Sequence, residues 1–331
     1  MPAILDLSRI TEALNGIDPG AIVDEIARGF VFYSQGKVVV PPIGELIFDE
    51  PRGDTHIKYG YIRGDEFFVI KIASGFYDNP KLGLPAGSGL MLLFSQKTGS
   101  LLSVMLDEGY LTQVRTAAAG AVAARAFAPR KIRRVGIFGA GVQGRMQLEY
   151  LRYARDFEDA IIWGIDRQEL DRYKAEMEPK GFKLATTMDA EEVAATCNLI
   201  VTATPSCKPL LSAAAVRKGT HITAMGSDTP DKQELDSDIL ARADVIVADS
   251  LAQCRLRGEI HKALEAGRIR EDRCVELGAI IAGKAQGRTS ESQITVVDLT
   301  GVAVQDVEIA TSVYRALLRP TEATRPRGMK I

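Results

Sequence analysis

The chain has 331 residues, 46% of them apolar, and its 41 Lys and Arg nearly balance 43 Asp and Glu. That length exceeds what one compact core usually holds, so two domains are expected. The balanced charge, with no extended Lys/Arg run, excludes nucleic acid and anionic lipid as partners.

The opening residues, Met1-Pro2-Ala3-Ile4-Leu5-Asp6, put an acid where a signal peptide needs an uninterrupted apolar core. No stretch reaches the roughly 20 apolar residues of a membrane span. A cytoplasmic protein with no membrane partner is expected. Cys197, Cys207, Cys254 and Cys274 are scattered, as are His56, His221 and His261, so neither a metal site nor a disulfide framework is expected.

Asp18-Pro19-Gly20 ahead of Ile22, Val23, Ile26 and Phe30 predicts a capped amphipathic helix with proline in its first turn. Strand-like runs follow at 37–40, 55–62, 67–73, 89–94 and 101–106, separated by Gly, Pro and Asp, which is the pattern of a mixed sheet. Residues 74–89 read as a loop that either borders a pocket or only connects strands. The Ala-rich segment 116–127 reads as a closely packed helix, and the domain junction is expected near its start.

From Arg133 onward, short β-branched runs alternate with helical stretches: 134–138, 160–165, 183–186, 199–202, 221–225, 245–248 and 295–297. Such alternation predicts a parallel sheet wrapped by helices. The polar residues 319–331, with two prolines, read as a loose tail.

Gly139-Ala140-Gly141-Val142-Gln143-Gly144 matches G-x-G-x-x-G and directly follows the apolar run Val135-Gly136-Ile137-Phe138. In that context the first glycine permits a tight turn, the second admits a pyrophosphate, and the third lets the helix pack on the strand while its amides face the anion. The alternative is a glycine turn with no nucleotide. The next strand ends on Asp166, about 20 residues on, where an acid accepts from ribose hydroxyls and repels a 2′-phosphate. NAD(H) is therefore expected over NADP(H), although Arg167 could assist a phosphate.

In an open doubly wound sheet, ligands sit beyond the carboxyl ends of the strands. Thr202 and Thr204, Asp228 after Gly226, and Asp298, Thr300 and Gly301 occupy such ends. Asp228 is the candidate acid/base, with a pKa that burial beside a cofactor would raise; alternatively it caps a helix beginning near Lys232. Asp298 and Thr300 either orient the nicotinamide end or simply finish a strand.

Three further segments carry a resemblance: Arg115-Thr116-Ala117-Ala118, the run from Gly226-Ser227-Asp228 through Lys232-Gln233-Glu234-Leu235, and the run from Asp298-Leu299-Thr300-Gly301 through Gln305-Asp306. With the glycine motif in order between them, the chain resembles the ornithine cyclodeaminase/mu-crystallin family over most of its length. The resemblance implies an α/β protein in which a Rossmann dinucleotide-binding domain, 116–304, is inserted into a mixed α+β substrate and dimerisation domain, 1–115, to which 305–331 return. It implies a homodimer, with a C-terminal helix at about 305–318. It also implies that Arg115 and Lys71 hold a substrate carboxylate and that Thr116 joins the cofactor contacts.

The chain departs from the family near the first strands. Many relatives carry an Arg after the first strand and a Met-Pro pair before the lysine strand, whereas this chain reads Pro41-Pro42-Ile43-Gly44-Glu45 and His56-Ile57-Lys58-Tyr59-Gly60. Where the cyclodeaminases place a carboxylate for a distal ammonium, His56 and Lys58 stand here, and two cations favour a neutral or anionic side chain. Lys58 either faces the pocket, as a further carboxylate ligand, or points outward.

The expected activity is an NAD(H)-dependent imine reductase or amino-acid dehydrogenase on a small amino or imino acid, with Asp228 moving the proton and Lys71 polarising the reacting carbon. One alternative is ornithine cyclodeamination. Another, of a different class, is a binding protein without turnover.

Overall fold

The computed structural model describes residues 1–76 and 78–318, so the expected tail lies outside the described residues. Two large sheets organise the α/β chain. The first runs, edge to edge, Ala3–Leu5, Leu101–Met105, Gly87–Ser95, Phe67–Phe76, Gly53–Ile62 and Val38–Val39, with Gly44–Phe48 also pairing on Gly53–Ile62. It is antiparallel except where Ala3–Leu5 lies parallel to Leu101–Met105, which makes it the mixed sheet expected.

Period-two alternation divides this sheet into two faces. Val69, Lys71, Met91, Leu93 and Met105 are buried on the inner face, against which helix Ala303–Leu318 packs. The other face carries a register row of Ile4, Val104, Leu92, Ile70 and Tyr59, beside stacked Phe68 and Phe94; these side chains are half-buried or exposed.

The second sheet has eight strands, all parallel, in the order Lys183–Thr187, Asp159–Trp163, Val135–Phe138, Leu199–Thr202, His221–Ala224, Thr295–Asp298, Val245–Ala248 and Cys274–Glu276. The chain leaves Val135–Phe138 in one direction and returns to its other side at Leu199–Thr202, so the order reverses directly above Gly139. Crevices at such reversals are where doubly wound sheets bind ligands.

Several elements differ from the sequence reading. The Ala-rich helix spans Tyr110–Phe127, which puts Arg115 inside it rather than before it. It starts early because Glu108 and Gly109 both adopt positive φ (52° and 85°), and the Asp107 carboxylate then accepts from Leu111 N at 2.8 Å. Strands extend into the supposed loop 74–89 from both sides, to Phe76 and from Gly87. No helix begins near Lys232: Gln233–Leu235 is a short strand paired with Cys207–Leu211, and the next helix, Ser237–Arg242, is capped by Asp236. Strands Ala3–Leu5 and Gly44–Phe48 and helix Leu7–Asn15 had no distinct sequence signal.

Helix Pro19–Ser34, capped by Asp18 as expected, packs on Ala303–Leu318, on Tyr110–Phe127 and on Leu277–Ile281. The last contact leaves no room for a side chain, since a Cβ on Gly278 would stand 1.8 Å from the Phe30 carbonyl oxygen. Gly278→Ala is therefore expected to destabilise the fold by about 1–3 kcal/mol, read as a lower midpoint in thermal denaturation; an unchanged midpoint would show that the two helices can part freely.

Candidate active site

The strand pair Gly53–Ile62 and Phe67–Phe76 places Lys58 directly opposite Lys71 on the inner face. Both are buried, 9% and 2% exposed. Two ammonium groups side by side in a low-dielectric interior need compensation. Helix Ala303–Leu318 supplies it: Asp306 Oδ1 lies 3.1 Å from Lys71 Nζ and 3.1 Å from Arg115 Nε. Gln305 Oε1 accepts from Arg115 Nη1 at 2.8 Å. Lys58 Nζ instead donates to two carbonyls, Gly301 O at 2.8 Å and Thr300 O at 3.2 Å. Three cations thus surround one buried carboxylate. Burial, and then the field of Arg115, push Lys58 down to about 8 and Lys71 down to about 7, against the opposing pull of Asp306.

A cavity of about 270 Å³ opens beside this cluster, lined by Lys58 and Arg115, by Ala73, Ser74, Ser88 and Thr112, by Thr116, Gln143 and Met225, and by Asp228, Thr300 and Gly301. Lys58 therefore faces the cavity, while Lys71 sits beneath its wall. Asp228, 44% exposed, stands at the rim, 2.6 Å from Lys232 Nζ. The expected rise in its pKa is not found. Burial acts to raise the carboxyl, but Lys232, Lys58 and His56 outweigh it and hold Asp228 below the usual carboxylate range.

His56 does not line the cavity. It lies between Glu45 (3.2 Å) and Asp54 (3.5 Å), and burial followed by the field of Lys58 depresses its pKa, so the second cation that the sequence placed in the pocket stands outside it. Glu45 is also held by Arg257 Nη1 at 2.7 Å, and the same guanidinium donates to the Asp228 carbonyl. No pattern in the sequence signals this bridge between strand Gly44–Phe48 and the turn before helix Gly258–Glu265.

A groove of about 430 Å³ crosses the carboxyl edge of the parallel sheet, lined by Gly139, Ala140 and Gly141, by Trp163 to Asp166 and Glu169, and by Ala203 to Ser206. The three glycines divide their work as the motif requires. A Cβ on Gly139 would meet the Ala203 carbonyl at 2.7 Å and one on Gly144 the Gly139 carbonyl at 2.0 Å, whereas one on Gly141 would meet nothing within 4 Å. Gly141 thus leaves backbone open toward the groove, and helix Val142–Leu151 points its first amides there. The residues fit a dinucleotide. Asp166 Oδ1 accepts from Gln168 N, capping the next helix; Arg167 is exposed and is not among the lining residues. Gln143 and Thr116 have internal bonds, to the Gln113 and Thr112 carbonyls.

Other strand-end residues are bonded within the fold, although Thr204 also lines the groove and Thr300 the cavity. Thr202 is wholly buried and donates to Glu234 Oε2, and Thr204 gives its amide and its hydroxyl to Glu234 Oε1. Gly226 N also donates to Glu234. Asp298, 1% exposed, accepts from Ile260 N, and Thr300 donates to Asp249. Thr202 and Asp298 therefore do not reach the groove; they serve the loops that shape it. Glu234, Asp306 and Gln305 stood in the quoted runs without a role, and only the contacts across the fold reveal one.

The cluster's excess positive charge makes an electrostatic prediction. A bound carboxylate stabilises the protonated lysines, so its affinity is greatest below about pH 7 and falls as Lys71 and Lys58 lose their protons. Calorimetric titration with pyruvate should show affinity dropping about tenfold or more between pH 7 and pH 9; a flat profile would mean that the lysines do not contribute.

Comparison with known proteins returns the ornithine cyclodeaminase/mu-crystallin family, whose model matches residues 3–320. An uncharacterized cyclodeaminase of Sinorhizobium fredii is 46% identical over 84% of this chain and 85% of its own. The alanine dehydrogenase of Archaeoglobus fulgidus is 36% identical over 98% and 96%. The Thermococcus litoralis Delta(1)-pyrroline-2-carboxylate reductase, solved with NADH and L-proline, superposes with a TM-score of 0.90 at 29% identity, covering 96% of this chain and 97% of that one. The glycine groove, the lysine-bearing strands and the Gly226 and Asp298 turns thus lie within one family frame, and the chain belongs to the ornithine cyclodeaminase/mu-crystallin family.

Proposed function

We propose that the chain is an NAD(H)-dependent imine reductase or amino-acid dehydrogenase acting at the α-carbon of a small amino or imino acid. The observation that carries this reading is one cavity with Lys58 and Arg115 in its wall, Asp228 at its rim, and Gln143 of the glycine motif among its lining residues. The likeness to an alanine dehydrogenase and to a pyrroline-2-carboxylate reductase solved with NADH supports it.

Bound along the groove, the nicotinamide dinucleotide supplies or accepts the hydride. Arg115 and Lys58 hold the substrate carboxylate, the guanidinium offering paired donors. Lys71, one layer below, adds positive charge that favours electron density moving toward the carboxylate end. Asp228, kept ionised, takes a proton from the substrate ammonium at a carboxylate oxygen in the oxidative direction and faces the iminium N–H in the reductive one. Asp166 and Glu169 both border the groove, so a 2′-phosphate meets negative charge and NAD(H) is preferred.

Ornithine cyclodeamination is the second reading, favoured by the 46% identity to an uncharacterized cyclodeaminase. Among the described lining residues, however, Asp228 is the one carboxylate, which leaves no second acid for a distal ammonium. Residues 1–115 with the returning helix form the substrate unit in this proposal and 116–304 the dinucleotide unit, with the boundary falling inside helix Tyr110–Phe127.

Steady NADH oxidation with 2-oxo acids plus ammonia or methylamine, or with cyclic imines, is expected, together with at least about a hundredfold loss of turnover in Asp228→Asn while NADH still binds. Proline and ammonia from ornithine without net NADH change would overturn the reductase reading; undiminished turnover in Asp228→Asn would remove that residue's role.

We also propose a homodimer formed through the outer face of the first sheet, where Ile70 and Leu92 pair in the apolar row; an uncovered apolar patch of this kind marks an interface. The double variant Ile70→Asp, Leu92→Asp should shift the light-scattering mass from dimer to monomer, and an unchanged mass would place the interface elsewhere.

A further inference from the structure

The loop between strands His221–Ala224 and Gln233–Leu235 is tied at several points. Gly226 N donates to Glu234 at 2.9 Å, Ser227 Oγ donates to the Lys232 carbonyl at 2.7 Å, and Thr229 Oγ1 donates to Asp231 at 2.6 Å. Asp228 projects from this closed loop, and its carbonyl is held from outside by Arg257. The backbone is thereby fixed, and the carboxylate's remaining freedom is rotation of its own side chain.

Among the described residues, that rotation is checked by an ion pair. Lys232 Nζ stands 2.6 Å from Asp228 Oδ1. The two residues belong to different hollows: Asp228 lines the substrate cavity, while Lys232 lines the wider cleft outside it, beside Asp231 and the Gly44–Phe48 strand. Lys232 is only 13% exposed, although it carries a flexible ammonium. An ion pair with one member at each side of a rim holds the carboxylate at the rim.

We propose that Lys232 is a positioning residue for Asp228, tethering the carboxylate at the mouth of the cavity as a proton acceptor until the positively charged nitrogen of the substrate competes for it. The inference rests on the amino-acid reading of the site given above. The substrate ammonium and the Lys232 ammonium are alternative partners for one carboxylate; when the substrate nitrogen gives its proton to an Asp228 oxygen, the carboxyl becomes neutral and the attraction of Lys232 ends.

The charged groups around Asp228 come from several elements. Lys232 lies on its own loop, Lys58 and His56 come from Gly53–Ile62, and Arg257 comes from the turn before helix Gly258–Glu265. Behind His56 stand Asp54 and Glu45, and behind Lys58 stand Arg115 and Asp306. Lys232 is the largest of the charged influences holding Asp228 in its ionised form, so removing it leaves Lys58 and a depressed His56 against the opposing effect of burial.

The test compares wild type with Lys232→Met and Lys232→Arg. Carboxyl carbon-13 titration of the cofactor-free protein, with Asp228 assigned by its loss in Asp228→Asn, reads the site without turnover. In Lys232→Met the Asp228 midpoint should rise by about one pH unit or more, and Lys232→Arg should restore it. The acid limb of the pH profile for amino-acid oxidation should move by the same amount, with NADH affinity unchanged. An Asp228 midpoint in Lys232→Met that coincides with wild type would overturn the proposal, as would a change in melting temperature with no shift in titration. Absence of turnover in wild type on any amino or imino acid would defeat the reading of function, while the titration would still decide the role of Lys232.

Discussion

The buried carboxylate of Asp306 is the constraint around which the site is built. One oxygen serves Lys71 from the first sheet and Arg115 from the long helix, so a single side chain on the returning helix fixes three elements at once. Losing one member of such a buried pair typically costs about 3–5 kcal/mol, because the other charge is stranded. The count matters as much as the contact. A second buried acid would leave the three cations with a single net positive charge; with Asp306 alone, and with Lys58 held by carbonyl dipoles, the interior keeps more positive charge, which in the proposed function an arriving carboxylate relieves.

The carboxyl edge of the parallel sheet is organised by a complementary device. Glu234, Glu259, Asp298 and Asp249 are all buried, and each accepts from backbone amides of a neighbouring turn. Burial raises the pKa of every one of them, Glu259 to about 8. These acids do for the loops what strand pairing does for the sheet, satisfying amides that would otherwise be orphaned. Strand-end hydroxyls such as Thr202 are consumed in the process, so a polar residue at the right end of a strand is not thereby a ligand.

Features governed by local chemistry were legible in the sequence. The glycine motif announces itself because each glycine answers a nearby steric demand, and the alternating strands and helices that follow repeat one pattern. The substrate side was read through resemblance: Lys71 and Arg115 are a lysine in an apolar strand and an arginine before an alanine run, with nothing local to say that they meet. The features that are not legible span long separations. Glu45 and Arg257 lie 212 residues apart, and the environment of His56 comes from a strand, Gly44–Phe48, whose signal was too weak to place. The early start of the Arg115 helix depends on a left-handed Glu108, a conformation that glutamate does not advertise.

The register of the two lysine strands has an evolutionary consequence. Lys58 and Lys71 share the inner face of the sheet, Lys58 in the cavity wall and Lys71 beneath it, because each is flanked by a residue, Tyr59 or Ile70, that faces the opposite side. Deleting or inserting one residue within either strand would exchange the two faces, exporting an ammonium to the apolar surface and importing a tyrosine or isoleucine to the cavity. Relatives can therefore diversify this hairpin by substitution, or by length changes at its turn or in pairs, but single-residue insertions inside the strands should be purged.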